Sequence, residues 1–289
     1  MKRALIFGAS GQDGRYLSQI CSERQIDAVT VARSSGWRHQ GSVADAALVD
    51  QLVQQQPDVI FHLAANSTTR HEALRENHET IVTGTLNILE SVRRYSPETR
   101  VFIVGSGTQF MNRGLSISEA SEFDPSSAYA VARIQSVYAA RYYRGLGVNA
   151  YVGYLFHHES PYRQPHHVSK MIIDGIKRIV AGASQTITIG DASVEKEWAY
   201  AKEIAEAMFT LIEQDVVYEA TIGTGVAHSI NDFLNEAFRQ AGLAVEKHVE
   251  IRSDYRAEYA RLVSDPRTMT GLGWKATTDL EQLVGVMLA

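Results

Sequence analysis

Residues Ala4–Leu17 read ALIFGASGQDGRYL. A short apolar run leads into three glycines spaced three apart, Gly8, Gly11 and Gly14, and a helical pattern covers Gln12 to Arg24. Apolar residues that end in glycines and then turn helical predict a buried strand, a tight turn and a helix N-terminus. Glycine has no β-carbon, so backbone amides in such a turn come close to a bound anion. The helix start adds unpaired N–H donors. The turn carrying Gly8, Ser10, Gly11, Gln12, Asp13 and Gly14 is therefore read as a phosphate cradle for a dinucleotide cofactor.

The same alternation continues down the chain. Strand-like runs at Ala28–Ala32, Asp58–Ala64, Arg100–Val104 and Ala150–Leu155 are separated by helical patterns at Ala44–Gln55, His78–Tyr95 and Ser127–Leu146. Within His78–Tyr95, Ile81, Val82, Leu86, Leu89 and Val92 are expected on one buried stripe. Apolar strands alternating with helices predict an α/β fold, a doubly wound parallel sheet of the Rossmann type. The second half is less regular. Helical patterns at His167–Gly182, Lys202–Gln214, Ile230–Gly242 and Thr278–Leu288 flank short strands at Ile187–Gly190 and His248–Arg252. We expect a nucleotide-binding domain over 1–156 and a smaller C-terminal α/β substrate lobe over 157–289, with a segment near 185–225 returning to the first domain.

Composition narrows the function classes. The chain has 289 residues and a formal net charge of -5, which argues against nucleic acid as a partner. Its single cysteine, Cys21, forms no intrachain disulfide and is read as a buried helical thiol. No run approaches the ~20 apolar residues of a membrane span. The apolar run at the start is short for a signal peptide. A soluble cytoplasmic protein is expected. His157, His158, His166 and His167 lack the spacing of a ligand set, so no metal site is expected.

Two further patterns bear on chemistry. The run AVTVA ends in Arg33, Ser34 and Ser35, with no acidic residue to bind ribose hydroxyls. A cation with two hydroxyls favours a 2′-phosphate, hence NADP, with NAD as the alternative. In YAVAR (Tyr129–Arg133) a tyrosine is followed four residues later by a cation on one helix. A phenol base beside a cation that favours its ionised form suits proton abstraction from a hydroxyl. Arginine keeps the charge but releases no proton near neutrality.

Longer stretches carry a resemblance. ALIFGASGQDGRYL, SPETR (Ser96–Arg100), YAVAR, YLFHHESPYR (Tyr154–Arg163), WAYAKEIAEAM (Trp198–Met208) and LGWKATTDLEQLV (Leu272–Val284) resemble the GDP-mannose 4,6-dehydratase branch of the extended short-chain dehydrogenases/reductases. The resemblance runs from Ala4 to Val284 in the family's motif order. It implies NADP(H), a GDP-sugar substrate and a homodimer formed by helices around Ile81–Val92 and Tyr129–Tyr143, with Tyr138, Tyr142 and Tyr143 as packing or interface residues. In the family, tyrosine takes the proton of the sugar 4-hydroxyl while hydride passes to the nicotinamide. A glutamate removes the proton beside the new ketone, water leaves carbon 6, and the hydride returns there. Carried over, Tyr129 is the base, Arg133 stands for the family's lysine, and Ser106 or Thr108 bonds the reacting oxygen. The cofactor set extends to Arg33, Ser34, Ser42, Val43, Leu63, Ala64, Ala65, His158 and Arg163. The substrate set is Asn66, His157, Glu159, Val168, Lys170, Lys196 and Arg256.

This chain departs from the pattern at several places. VGSGTQF puts Gly107 where the family has threonine and Gln109 where it has the glutamate. Glutamine accepts no proton as a carboxylate does; Glu119 and Glu122 stand nearby as substitutes. His157 replaces an asparagine, Met171 a lysine beside Lys170, Lys196 an arginine, and Tyr255 an arginine beside Arg256. Three readings stay open. One is an NADP-dependent nucleotide-sugar dehydratase. Another is a 4-keto-6-deoxy nucleotide-sugar reductase or epimerase, which needs no elimination base. The third is a low-turnover nucleotide or nucleotide-sugar binding protein.

Overall fold

Successive residues of the first strand, β1 (Arg3–Phe7), point to opposite faces of a sheet: Ala4 and Ile6 join one apolar cluster, Leu5 and Phe7 the other. Both sets are buried, so this strand is covered on both sides. The computed structural model describes residues 2–184, 186–252 and 257–289.

In chain order the first half runs α1 (Gln12–Glu23), β2 (Asp27–Ala32), β3 (His39–Gln40), α2 (Ala46–Val53), β4 (Val59–His62), α3 (Leu74–Asn77), α4 (Gly84–Tyr95), β5 (Arg100–Ser106), α5 (Ala128–Gly145) and β6 (Asn149–Leu155). There follow β7 (His158–Glu159), α6 (Val168–Val180), β8 (Ile187–Ile189), β9 (Glu195–Glu197), β10 (Ala199–Tyr200), α7 (Ala201–Ile212) and β11 (Glu219–Ile222). Seven strands form one parallel sheet in the order β11-β6-β5-β4-β1-β2-β3. The strand order reverses beside β1, which opens a crevice at the carboxyl ends of β1 and β4. Helices α1 and α7 cover one face with Leu17, Met208 and Phe209; α2, α4 and α5 cover the other with Val49, Leu89 and Val137. A third cluster, built on Ile172, Ile176, Trp198, Phe233 and Leu283, holds the smaller lobe together, with Trp198 stacked on Phe233 at 4.3 Å. Among the described residues no helix is long and apolar enough to cross a membrane.

The parallel sheet expected from the alternation is present, and two local readings need correction. The stretch His78–Thr83 is a π-helical turn, not the start of a regular helix. Ile81, Val82, Leu89 and Val92 are buried as expected, but Leu86 is 42% exposed and Ile88 is buried, because about 3.6 residues per turn put Ile88 with Leu89 and Val92 on the inward face and leave Leu86 off it. The Ile81 carbonyl accepts from Thr85 Oγ1 at 2.6 Å and meets His62 Nε2 at 3.3 Å, so side chains serve the turn's backbone. The second correction is β11, which pairs with β6 although no strand was read there. Its first residue is Glu219, whose carboxylate accepts from Arg141, Arg144 and Tyr154, so a charge stands where a strand pattern wants an apolar residue.

Gly8 has φ +89, and a β-carbon there would lie 2.7 Å from Ala64 N; the ends of β1 and β4 meet too closely for a side chain. A β-carbon on Gly14 would lie 2.6 Å from both Ala9 Cα and Gly8 O. These contacts are backbone and cannot swing aside. Gly14→Ala is therefore expected to cost about 1–3 kcal/mol, the range for overpacking. Urea denaturation measures it; an unchanged midpoint would show that α1 sits looser on the turn than described.

Candidate active site

A cleft of about 1100 Å³ opens at the carboxyl ends of the sheet strands, between them and the smaller lobe. Its floor is the glycine turn. The first and third glycines are demanded by chain packing, as described above. A β-carbon on Gly11 would meet only Gly8 O, at 3.4 Å, and Gly11 lines the cleft. Gly11 caps α1 with no side-chain hydrogen bond, which leaves the first amides of the helix for another acceptor. This is a cradle shaped for an anion, and a dinucleotide's diphosphate fits it.

Side chains of the same turn reach across the chain. Gln12 Nε2 donates to the His158 carbonyl at 3.1 Å, and Ser160 Oγ donates to Gln12 Oε1 at 2.9 Å. His158 Nδ1 lies 2.6 Å from the Phe156 carbonyl and Nε2 lies 3.0 Å from Asp13 Oδ1. A carbonyl and a carboxylate both require a donor, so the ring carries two protons. Burial pulls the His158 pKa down, but the Asp13 carboxylate more than offsets this and the net shift is upward. Burial pushes Asp13 up, and the cations of His158, Arg163 and Arg133 outweigh it, so its carboxyl is held low. The stretches GQDG and HES are thus one packed unit.

Tyr129 lies at the second position of α5, half-buried, and lines the cleft. One turn on, the Arg133 guanidinium sits 5.0 Å from the Tyr129 ring centroid and donates to the Val104 carbonyl at 2.7 Å. Its Nε is buried without a hydrogen-bond partner. Ser106 Oγ and Thr108 Oγ1 are 2.9 Å apart and both residues line the cleft, so Thr108 reaches the site. A β-carbon on Gly107 would stand 2.8 Å from the Phe156 ring, which occupies the place a threonine would need.

The carboxylate question has a plain answer among the described residues. Gln109 is fully buried, does not line the cleft, and accepts from Ser106 N at 2.8 Å as a cap of the short turn after β5. Its assignment as a catalytic residue is corrected: the side-chain oxygen is spent on backbone, and Nε2 is buried without a hydrogen-bond partner. Glu119 accepts from Thr221 N at 2.6 Å and Glu122 pairs with Arg113 at 3.4 Å; neither lines the cleft. The carboxylates that do are Asp13, Glu76 and Glu258. Asp13 holds His158, Glu76 holds Arg33 and Asn66, and Glu258 accepts from Thr69 at 2.6 Å.

The opposite wall is cationic. Arg163 and Lys196 line the cleft and share Glu159, at 3.1 and 3.8 Å. Glu159 is 1% exposed, takes a further bond from Ser169 Oγ at 2.5 Å, and does not line the cleft, so it supports these cations instead of meeting substrate. Lys196 lies 4.3 Å from the Trp198 ring centroid. Burial lowers its pKa, with Glu159 acting against that. His157 lines the cleft with Nε2 3.1 Å from Tyr259 OH; burial, then Lys196 and Arg163, keep it neutral.

Among the remaining expected residues, Ser42, Val43, Leu63, Ala64, Ala65, Asn66, Arg33 and Val168 line the cleft. Ser34, Gly14 and Lys170 do not; Lys170 pairs with Asp174 at 2.9 Å, one turn along α6. Arg256 and Tyr255 fall outside the described residues. Sequence reasoning missed Phe156, Thr69, Glu76, Glu258 and Tyr259. All but Phe156 lie in irregular or short segments without periodicity; Phe156 abuts the HES stretch, the one signal available. Among the described residues no group of three or more His, Cys, Asp or Glu side chains is placed to hold a metal ion.

Comparison with known proteins gives three findings. The model of a family described as GDP-mannose 4,6 dehydratase matches residues 5–287. GDP-mannose 4,6 dehydratase 1 of Arabidopsis thaliana is 28% identical over 320 residues, covering 99% of this chain and 89% of its own length. GDP-mannose 4,6-dehydratase of Vibrio cholerae is 25% identical over 346 residues, covering 100% and 93%. Among solved structures, dTDP-glucose 4,6-dehydratase of Bacillus anthracis in complex with NAD has a TM-score of 0.87 at 16% identity, covering 100% of this chain and 96% of that one. RMD of Pseudomonas aeruginosa complexed with NADPH has a TM-score of 0.87 at 19% identity, covering 100% and 98%. At these identities the structures show a shared fold.

The Asp13–His158 pair carries a pH signature. A raised histidine pKa stabilises fully below about 6.5 and loses this as the pH rises through the folded value. A lowered aspartate pKa stabilises above about 4 and loses this as the pH falls through the folded value. The pair thus contributes most between about pH 4 and 6.5. Asp13→Asn is expected to cost about 3 kcal/mol near pH 5.5, the scale for breaking a buried pair, and less at pH 8.5. Urea denaturation at the two values checks this; a gap that widens at pH 8.5 would refute the paired, doubly protonated histidine.

Proposed function

The chain belongs to the GDP-mannose 4,6-dehydratase family, and on that premise we propose that it acts on a nucleotide-linked hexose with a nicotinamide dinucleotide, its reaction the family's dehydration. The observation that carries this reading is the stacked Tyr129–Arg133 pair beside Ser106 and Thr108, in a cleft floored by the glycine cradle. We take NADP as the cofactor from Arg33 and a GDP-sugar as the substrate from the family resemblance. A bound nicotinamide ring supplies reversible hydride acceptance. Tyr129 receives the proton of the sugar hydroxyl, with the Arg133 guanidinium held beside its ring. Ser106 or Thr108 donates to the oxygen that becomes a carbonyl. Arg163 and Lys196 offer the positive wall that a diphosphate needs.

One observation favours a second reading. The cleft carboxylates seen are each engaged elsewhere, and Gln109 is sealed in a cap. Oxidation or reduction at a single carbon needs no further base, so a 4-keto-sugar reductase or an epimerase suits these side chains. A low-turnover nucleotide-sugar binding protein is what remains if neither reaction runs. The exposed Leu86, Tyr138 and Tyr142, at 42%, 58% and 65%, stand on α4 and α5 and support a homodimer through these helices. Light scattering is expected to report about twice the 32.0 kDa chain mass; a monomer at working concentration would refute it.

Incubation with NADP and GDP-mannose is expected to yield a 4-keto-6-deoxy product, followed by NMR. NADPH oxidation by a supplied 4-keto-6-deoxy sugar, with no dehydration, decides for the reductase. Tyr129→Phe is expected to lower kcat by about 10²-fold or more, the contribution of a positioned base, while the Kd for NADPH stays within about threefold. Equal loss of cofactor binding would move Tyr129 from chemistry to structure.

A further inference from the structure

In a doubly wound sheet the adenosine ribose of a dinucleotide lies beyond the end of the second strand. There a carboxylate accepts from the ribose hydroxyls, or an arginine takes a 2′-phosphate. This chain brings both groups to that place from different elements. Arg33 is the first residue after β2, and Glu76 comes from α3. Both line the cleft, with Arg33 Nη1 2.9 Å from Glu76 Oε1. The other carboxylate oxygen accepts from Asn66 Nδ2 at 2.7 Å. Gln40 Nε2 donates to the Arg33 carbonyl at 3.0 Å and pins its backbone.

We propose that Glu76 sets the choice between the 2′-hydroxyl and 2′-phosphate forms of the cofactor by pairing with Arg33. The inference rests on the nicotinamide reading given above and adds to it a residue that the end of β2 does not reveal. Read alone, Arg33 selects the phosphate. Paired, its charge is largely cancelled, and a carboxylate stands beside the same ribose. That carboxylate accepts from hydroxyls and repels a dianionic phosphate. A 2′-phosphate therefore competes with Glu76 for the guanidinium. The side chains are 68% and 40% exposed, so the ion pair is weakly held and the exchange is open. Hydrogen bonds from Asn66 and then Arg33 hold the Glu76 carboxyl below the usual range, so the competing charge is present at neutral pH. The expected result is a site that takes both forms, with only a modest preference for the phosphate.

The test is direct binding of NADH and NADPH, followed by nicotinamide fluorescence and by calorimetry, with no turnover required. The wild-type chain is compared with Glu76→Gln, which keeps an acceptor for Asn66, and with Arg33→Gln. For the wild type, the two Kd values are expected within about tenfold of one another, which is 1.4 kcal/mol. Glu76→Gln is expected to shift the ratio toward NADPH by about five- to tenfold, an effect that shrinks as salt is raised. Arg33→Gln is expected to shift it toward NADH. A ratio in Glu76→Gln within twofold of wild type overturns the proposal and leaves Arg33–Glu76 an ordinary surface pair. Binding of neither nucleotide by the wild type overturns the nicotinamide reading itself, which the variants cannot do.

Discussion

The ion pair between Asp13 and His158 is the contact on which both sides of the cleft depend. An acid in the first turn of a helix is favourable by itself, but beside an anion cradle it would repel the ligand. His158, with Arg163 and Arg133 in range, cancels that charge. The same contact, with Gln12 and Ser160, fixes the chain as it leaves β6. From there Glu159 fans out to Arg163 and Lys196. A tie at the start of α1 therefore positions the cationic wall on the far side. Gln12 and Asp13 shape the cleft mainly through what they hold.

Much of the fold was legible because it rests on short-range rules. Buried strands and amphipathic helices leave periods in the sequence, and glycines mark where two backbones touch. The parallel sheet and the turn at Gly8–Gly14 were read from these alone. One misreading was of the period itself: within Gly84–Tyr95 the face through Thr85, Ile88, Leu89 and Val92 leaves Leu86 outside. Another came where a long-range contact overrode the local pattern. β11 was hidden because Glu219 is satisfied by arginines and a tyrosine from α5 and β6.

The site was legible in its residue types and less so in its partners. Tyr129, Arg133, Ser106 and Thr108 all line the cleft. What spacing cannot report is which side chains are already occupied. Gln109 looked like an altered catalytic residue and is a cap; Glu159 looked like a ligand contact and is a counter-ion. Arg33 was read as a cation for the ribose end of a cofactor, while Glu76, from a short helix with no periodicity, was invisible beside it. Each error concerns a polar group whose role is set by a neighbour distant in the chain.

Phe156 fills the space above Gly107, and the two residues are matched in size. A side chain at 107 collides with the ring, and a smaller residue at 156 leaves a hole beside a bare glycine. Changing either position alone therefore costs stability. A hydroxyl-bearing residue can be installed at 107 only together with a smaller one at 156, so the pair has to be engineered as a unit.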